Sequence, residues 1–234
     1  MTNDIYTRTR MLVGDEGVQR LKSAHVAVFG VGGVGSFAAE ALVRAGIGKI
    51  TIVDGEKFDE TNLNRQLFAL RSTIGMPKVV AAKERFLDIN PDIEINACEC
   101  FYTGDEVALN GFDYIADCID TVTSKLRLIE NAKSLDIPII SCMGAGNRLD
   151  CTCFEIKDIF ETSGCPLARV MRRELRKRGI DKLNVVFSSE EAITPKLSEQ
   201  YTDIKKVIGS ISYVPSSAGL ALAGQIIKDI CFKA

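Results

Sequence analysis

Short apolar runs alternate along most of the chain with longer segments in which apolar residues recur at helical spacing. The runs predict buried strands, and the longer segments predict amphipathic helices that cover them. Regular alternation of strand and helix is typical of an α/β fold with a mostly parallel sheet. We therefore expect a doubly wound, Rossmann-like sheet that is extended by strands near the carboxyl terminus.

The pattern also suggests bounds for individual elements. Beyond the opening strand–helix–strand unit, predicted strands lie at Ile93–Ala97, Tyr114–Ile119, Pro138–Cys142, Leu149–Ile156, Asn184–Ser188 and Gly209–Val214. Predicted helices lie at Asp15–Ser23, Thr103–Leu109, Thr121–Leu135, Pro166–Arg178 and Ser216–Phe232, and a further helix begins at Gly75–Lys78. The polar stretch Ser189–Lys206 predicts a loop.

A glycine-rich turn follows the first apolar run, and an acid closes the second. The turn has the pattern Gly30-x-Gly32-x-x-Gly35, with Gly33 inside it. Glycine at these positions allows a tight turn, close approach of phosphate to the backbone and close helix packing. Asp54 follows about 20 residues later, where a carboxylate can accept hydrogen bonds from ribose hydroxyls. The stretch predicts an adenine-nucleotide site.

The position of this stretch suggests how the chain is organised. We expect one domain over residues 1–234, with the nucleotide-binding part at 24–145. Residues 146–209 would face the substrate, and residues 210–234 would return to the core as a strand and a helix.

The composition narrows the class of protein. Of 234 residues, 46% are hydrophobic and 26% are charged, and the formal net charge is −2. These values are ordinary for a soluble globular protein and do not favour nucleic-acid binding over the whole surface. No signal peptide or membrane span is apparent, so we expect a cytoplasmic protein. The eight cysteines include no C-x-x-C pair, so we expect thiols and no structural zinc.

A polar, turn-rich segment and a lysine follow Asp54. Asn62, Arg65 and Gln66 carry amide and guanidinium groups that suit phosphate and ribose oxygens, although a capped surface loop would have the same composition. Lys78 lies in the first turn of a predicted helix, where the helix dipole disfavours a cation. An anionic ligand would remove that penalty, so Lys78 is a candidate triphosphate contact.

Two carboxylates mark the end of a buried strand. Asp117 and Asp120 would lie beside the nucleotide crevice, where one or two carboxylates and phosphate oxygens can hold Mg²⁺. Either could instead cap the next helix. We favour the metal for Asp120 and capping or hydrogen bonding for Asp117.

Two groups of arginines leave alternatives open. Arg8, on an amino-terminal arm, could be solvated or could reach phosphate in its own or a neighbouring subunit. A basic stripe on one predicted helix could be a solvated face or could hold an RNA backbone; it comprises Arg169, Arg172, Arg173 and Arg176. The single histidine, His25, precedes the first strand, which argues against a Ser-His or Cys-His catalytic pair.

Taken together, the motifs resemble the E1-like superfamily of ubiquitin-activating enzymes and sulfur-carrier adenylyltransferases. The resemblance rests on GVGGVGS, Asp54, NLNRQ, GMPK and DCID. It implies that the glycine turn and Asp54 hold ATP, that Asp120 binds Mg²⁺, and that the cationic and amide side chains line the triphosphate; these are Asn62, Arg65, Gln66 and Lys78. It also implies a homodimer in which Arg8 reaches the ATP of the partner subunit.

Further motifs resemble one branch of that superfamily, the tRNA threonylcarbamoyladenosine dehydratases. They are RTR, DINP, PLARVMRRELRKRG, VVFSSE and SYVPSSAGL. The resemblance implies ATP-dependent adenylation of the threonyl carboxylate of threonylcarbamoyladenosine in tRNA. Attack by the carbamoyl oxygen then releases AMP and leaves a cyclic product. An adenylyltransferase for a sulfur-carrier protein remains the alternative, although the zinc cysteine pairs usual there are absent. A nicotinamide-dependent oxidoreductase would leave NLNRQ and Lys78 without a role.

Overall fold

A seven-stranded sheet with helices on both faces forms the centre of the protein. The computed structural model describes residues 4–194 and 208–232. Its strands are β1 His25–Phe29, β2 Lys49–Val53, β3 Glu94–Cys98, β4 Tyr114–Asp117, β5 Ile139–Cys142, β6 Phe154–Asp158 and β7 Asn184–Ser188. Its α-helices are α1 Thr7–Ser23, α2 Gly35–Ala45, α3 Lys78–Ile89, α4 Val122–Ser134, α5 Pro166–Lys177 and α6 Tyr213–Phe232.

The strand order confirms the predicted doubly wound sheet. The strands follow the order β3-β2-β1-β4-β5-β7-β6. All pairs are parallel except β6 with β7, which run antiparallel. The chain therefore winds outward from β1 in one direction and resumes at β4 in the other. Ligands of such sheets bind where the strand order reverses, at the carboxyl ends of the two central strands.

Apolar side chains on both faces of the sheet explain why the helices pack there. β1, β2, β4 and β5 are almost entirely buried, which is typical of parallel strands covered on both sides. One core cluster contains buried residues of α2, α3 and α6, including Leu42, Phe86 and Leu222. The other contains buried residues of α4 and α5, including Leu128 and Met171.

The first helix is longer than its sequence indicated. The sequence predicts a helix over Asp15–Ser23 after an amino-terminal arm, whereas α1 already begins at Thr7. Gly14, with φ 72° and ψ 175°, interrupts the helical geometry and joins the two halves across a kink. Since glycine adopts positive φ with little strain, the predicted boundary at Gly14 is a bend within the helix.

No short helix forms over Thr103–Leu109, so that prediction is wrong. The Glu106 carboxylate accepts hydrogen bonds from the backbone N–H groups of Thr103, at 2.7 Å, and Gly104, at 3.0 Å. Gly104 has φ 150°, far from the helical value, so a helix cannot run through it. The segment is therefore a loop closed by its own glutamate.

Two strand predictions in the carboxyl-terminal third also need correction. The strand expected at Leu149–Ile156 begins only at Phe154, because Asp150 accepts a hydrogen bond from Thr152 N at 2.8 Å and caps a 3-10 turn. Gly209–Val214 is not a strand. The backbone of Gly209 pairs with Asn147, and α6 begins at Tyr213. Of the loop expected at Ser189–Lys206, residues 189–194 are irregular and the remainder lies outside the described residues.

Within residues 4–194 and 208–232, no helix combines the length and the apolar character needed to cross a membrane.

Candidate nucleotide-binding site

A crevice of about 820 Å³ opens at the point where the strand order reverses. Gly30 follows β1 on one side of this point, and Cys118 follows β4 on the other. The residues that line the crevice include most of those expected from the sequence to bind nucleotide, namely Gly30, Gly32, Gly33, Asp54, Asn62, Arg65, Gln66, Lys78 and Asp120. Elements far apart in the sequence thus converge on one cleft.

The glycine turn leaves no room for side chains at two positions. Gly30 has φ 87°, and a Cβ there would lie 2.7 Å from the carbonyl oxygen of Cys118. A Cβ on Gly35 would lie 1.8 Å from the carbonyl oxygen of Gly30. Gly35 does not line the crevice, so glycine is required at this position for α2 to pack closely against the turn. Helix α2 begins at the edge of the cleft. The free N–H groups at a helix amino terminus favour binding of an anion.

Asp54 connects the glycine turn to the end of β2. Its carboxylate accepts hydrogen bonds from the backbone N–H of Val31, at 2.7 Å, and of Glu56, at 2.9 Å. Burial raises the pKa of Asp54, while the nearby ammonium of Lys78 and these two bonds oppose the rise. Each oxygen retains lone-pair capacity for a further donor such as a ribose hydroxyl.

The loop after β2 is both capped and directed at the crevice. Asp59 accepts a hydrogen bond from Thr61 N at 2.7 Å, and Asn62 Oδ1 accepts one from Asp59 N at 3.2 Å. Arg65 donates to the carbonyl oxygen of Thr61 at 2.8 Å and to Asn64 Oδ1 at 2.9 Å, and no carboxylate of the described residues bonds to it. The segment is therefore both a capped loop and a candidate ligand-binding segment, since the caps fix a loop whose side chains line the cleft.

Gln66 provides an independent sign that a polar ligand belongs here. Its side chain is 7% exposed, and Oε1 has no hydrogen-bond partner within the described residues. Buried polar atoms are nearly always bonded, so such an atom calls for a partner. Because amide oxygen and nitrogen assignments can be interchanged, the same position can present N–H to a phosphate.

Lys78 is buried in the crevice wall with a carboxylate as its partner. Its side chain is 2% exposed, and its ammonium group forms an ion pair with Glu56. The Lys78 backbone N–H also donates to the Glu56 carbonyl at 3.0 Å. Sequence reasoning found Lys78 but missed Glu56, whose only signal was an acid two residues after Asp54.

The two aspartates at the end of β4 have different environments. Asp117 is fully buried, pairs with Lys125 at 2.8 Å and accepts a hydrogen bond from Ser141 at 2.5 Å. Lys125 also donates to the carbonyl of Ile119 at 2.9 Å, which fixes the loop that follows β4. Asp120 is exposed at the crevice, so it is the carboxylate that a ligand or cation can reach.

Cysteines form part of the far wall of the crevice. Cys118 and Cys142 line it together with residues 143–146. Burial raises the pKa of Cys142 to about 12 and that of Cys118 well above its usual range. Both thiols are therefore protonated near neutral pH, which makes them poor nucleophiles.

Other candidate residues lie away from this cleft. Arg8 is exposed on α1 and does not line the crevice of its own chain. His25 contacts Thr51 Oγ1 at 2.8 Å near the opposite end of β1. Within the described residues, no group of three or more histidine, cysteine or acidic side chains is arranged to hold a metal ion.

The basic stripe on α5 is partly engaged by the protein itself. Arg172 donates to the carbonyl of Thr162 at 2.9 Å, and Arg176 lies 5.1 Å from the ring centroid of Phe160. Arg173 pairs with Glu174 at 3.1 Å. Arg169, Arg173 and Arg176 are exposed and Arg172 is partly buried, so three of the four predicted cations remain open to solvent.

This fold and cleft define an α/β protein with a candidate nucleotide site at the point where its strand order reverses. The profile of the ThiF family matches residues 6–233, and the chain belongs to that family. The tRNA threonylcarbamoyladenosine dehydratase of Bacillus subtilis (strain 168) is 43% identical over 243 residues, covering 96% of this chain and 94% of that protein. The dehydratase of the same name from Escherichia coli (strain K12) is 35% identical over 237 residues, covering 97% and 88%. The E1-like resemblance is thereby confirmed.

Solved structures show the same relationship. The Escherichia coli tRNA N6-threonylcarbamoyladenosine dehydratase, TcdA, solved in complex with ATP, matches with a TM-score of 0.88 and 33% identity. The match covers 96% of this chain and 93% of that one. A second structure of the same enzyme, in complex with AMP, also has a TM-score of 0.88.

Proposed function

We propose that this protein is an ATP-dependent dehydratase that acts on threonylcarbamoyladenosine in tRNA. The observation that carries the proposal is the 43% identity to the Bacillus subtilis dehydratase over nearly the whole of both chains. The ATP and AMP complexes of the Escherichia coli enzyme support ATP as the nucleotide. A sulfur-carrier adenylyltransferase would use the same cleft, but the full-length relatives carry the dehydratase name.

The reaction needs ATP activation of a carboxylate and a nucleophile that the substrate itself supplies. The threonyl carboxylate attacks the α-phosphorus, and pyrophosphate leaves. The carbamoyl oxygen then attacks the resulting acyl group, and AMP leaves with one carboxylate oxygen. The product is the cyclic form, with net loss of water. The protonated thiols of Cys118 and Cys142 are consistent with a reaction that needs no covalent enzyme intermediate.

The side chains of the crevice suit positioning and charge stabilisation. In this proposal the backbone of the glycine turn approaches the phosphates, and Asp54 accepts hydrogen bonds from the ribose hydroxyls. Asn62 and Gln66 provide amide groups for hydrogen bonds to the nucleotide. Arg65 and Lys78 offset negative charge on the phosphates as pyrophosphate leaves, which is how cations accelerate such transfers. Arg65 is available because its hydrogen-bond partners are neutral oxygens.

Asp120 fits a magnesium ion shared with the nucleotide. It is exposed at the crevice, and Mg²⁺ commonly takes one or two carboxylates together with phosphate oxygens and water. An ion held there would neutralise phosphate charge.

Two finer features of the proposal concern partners. We propose a cytoplasmic homodimer in which Arg8 of one subunit reaches the nucleotide of the other, because Arg8 is exposed and outside its own crevice. We also propose that α5 contributes to tRNA binding, with Arg169, Arg173 and Arg176 as its accessible cations.

ATP–pyrophosphate exchange separates the two adenylating functions. The proposal predicts exchange that depends on tRNA carrying threonylcarbamoyladenosine, with unmodified tRNA as the control. Exchange that is stimulated by a carrier protein with a carboxyl-terminal glycine, and that does not change when the tRNA is added, would favour the sulfur-carrier adenylyltransferase.

A further inference from the structure

Among the residues that the structure describes, Lys78 and Glu56 form the one crevice contact in which a predicted phosphate-binding cation already has an anionic partner. We propose that the Glu56 carboxylate competes with a nucleotide phosphate for the Lys78 ammonium, so that ATP binding displaces Glu56 towards solvent. The inference rests on the proposed function for the identity of the ligand, and it assigns Glu56 as a residue that sets nucleotide affinity.

The burial of Lys78 explains why a competing anion is needed. With 2% of its side chain exposed, the ammonium has lost most of its hydration. A buried charge without a partner is strongly unfavourable, so some anion must accompany it. Glu56 supplies that anion in the structure, and a phosphate oxygen can supply it as well.

The geometry of Glu56 allows its side chain to leave without disturbing the backbone. Its N–H donates to Asp54 Oδ1 at 2.9 Å, and its carbonyl accepts from Lys78 N at 3.0 Å. Its side chain, in contrast, is 59% exposed. Rotation about side-chain bonds can therefore carry the carboxylate into water while both main-chain bonds remain.

The surrounding charges favour displacement of the Glu56 carboxylate when a phosphate binds. Three carboxylates lie within electrostatic range of Lys78. Glu56 forms an ion pair with it, and its positive charge acts to lower the pKa of Asp54 and of Asp59. A polyphosphate brought to this ammonium would meet Glu56 at short range, and like charges in a half-buried site repel strongly. Displacing the mobile carboxylate removes that repulsion and leaves Lys78 paired with phosphate.

Isothermal titration calorimetry of Glu56→Gln tests the proposal. We expect ATP to bind about tenfold more tightly to this variant than to the unaltered protein, because the competing charge is gone. Adenosine, which has no phosphate, should bind both proteins equally. Glu60→Gln removes the same charge from an exposed neighbouring position and should change ATP affinity less than about twofold. Because no tRNA is present, this measurement is independent of the dehydratase assay.

A second substitution establishes whether the effect acts through Lys78. In a Lys78→Gln background, Glu56→Gln should give less than about a twofold gain in ATP affinity. Without the ammonium, the carboxylate and the phosphate no longer compete for the same cation. Unchanged ATP binding by Glu56→Gln in the otherwise unaltered protein would overturn the proposal, and so would weaker binding, which would show that Glu56 assists the nucleotide. An equal gain in both backgrounds would also overturn it.

Discussion

At the scale of single residues, the crevice owes its charge to a few side chains with different degrees of burial. Arg65 reaches neutral oxygens of its own loop, whereas Lys78 is held in an ion pair. Both cations are therefore placed by local contacts and can turn to a phosphate without leaving a buried partner unpaired, since Glu56 is largely exposed.

Replacement of Arg65 by alanine should impair the chemistry much more than the fold. Loss of one cation that stabilises transition-state charge typically costs about 10²–10³ in rate. Because Arg65 bonds only surface oxygens, the free energy of unfolding should change by less than about 1 kcal/mol. AMP formation with modified tRNA and urea unfolding measure the two effects. Activity within about twofold of the unaltered protein would contradict the assignment.

Lys125 provides the opposite case, in which stability should suffer most. Lys125→Met leaves the Asp117 carboxylate buried without its ion-pair partner, and such changes cost about 3–5 kcal/mol. Lys133→Met, at an exposed position on the same helix, should change stability by no more than about 0.5 kcal/mol. Urea unfolding of the two variants provides the comparison, and equal effects would show that the buried pair contributes nothing particular.

The sequence predicted some of these residues and could not predict others. Spacing within the glycine turn and the NLNRQ segment identified residues that do line one crevice. The network of Asp117, Lys125 and Ser141 joins β4, α4 and β5, so it depends on how those elements pack. A local pattern carries no information on such packing, which is also why Glu56 was missed.

At the scale of secondary-structure elements, β1 and β2 hold the single histidine in a partly buried position. His25 contacts Thr51 Oγ1 at 2.8 Å. Burial, together with the nearby charge of Lys49, lowers the pKa of His25. The ring should therefore remain neutral to lower pH in the folded protein than in the unfolded chain.

This lowered pKa predicts the direction of one contribution to stability. The unfolded chain binds a proton near pH 6.5, whereas the folded protein does so only at lower pH. The contribution of His25 is thus fully present above about pH 6.5 and is lost as the pH falls through the folded-state pKa. Proton NMR of the single imidazole measures the pKa directly. A folded-state value at or above 6.5 would contradict the prediction.

The solvent-facing part of α5 makes a prediction about RNA. Arg169→Glu combined with Arg173→Glu should weaken tRNA binding and lower the slope of its salt dependence by about 2, one for each phosphate contact. Affinity for ATP should not change. Arg71→Glu with Lys83→Glu is the matched control, since Lys83 lies on α3 at the other face of the sheet. Equal loss of tRNA affinity in both double variants would assign the effect to overall charge.

Elements with strong periodicity were predictable, and those shaped by polar contacts were not. Asn184–Ser188 has the predicted bounds because a fully apolar run between polar neighbours can only be buried. Thr103–Leu109 and Gly209–Val214 have suitable residues for a helix and a strand, but Gly104 adopts φ 150° and the Gly209 N–H donates to Asn147 Oδ1. A single backbone angle or a single contact of this kind leaves no periodic signal in the sequence.

At the scale of the whole molecule, the proposed exchange of Arg8 between subunits predicts complementation. Arg8→Ala and Lys78→Ala should each be inactive alone. In a mixed dimer, the subunit that keeps Lys78 receives Arg8 from its partner, so one intact site forms. After subunit exchange, activity should recover to about a quarter of that of the unaltered protein, since half the dimers are mixed and each has one working site.

The control for this experiment is a mixture that cannot restore a site. Arg8→Ala mixed with the Arg8→Ala, Lys78→Ala double variant should remain inactive. Sedimentation analysis establishes whether dimers are present. Recovery in the control, or no recovery in the first mixture of confirmed dimers, would refute the sharing of Arg8.

Nucleoside mass spectrometry shows whether the crevice activates a carboxylate on tRNA with ATP. Purified protein, ATP and Mg²⁺ should convert threonylcarbamoyladenosine in tRNA to a product lighter by one water. AMP and pyrophosphate should form in equal amount. The work-up must avoid conditions that hydrolyse the cyclic product. An unchanged nucleoside, with ATP bound but not consumed, would show that the protein is not a threonylcarbamoyladenosine dehydratase.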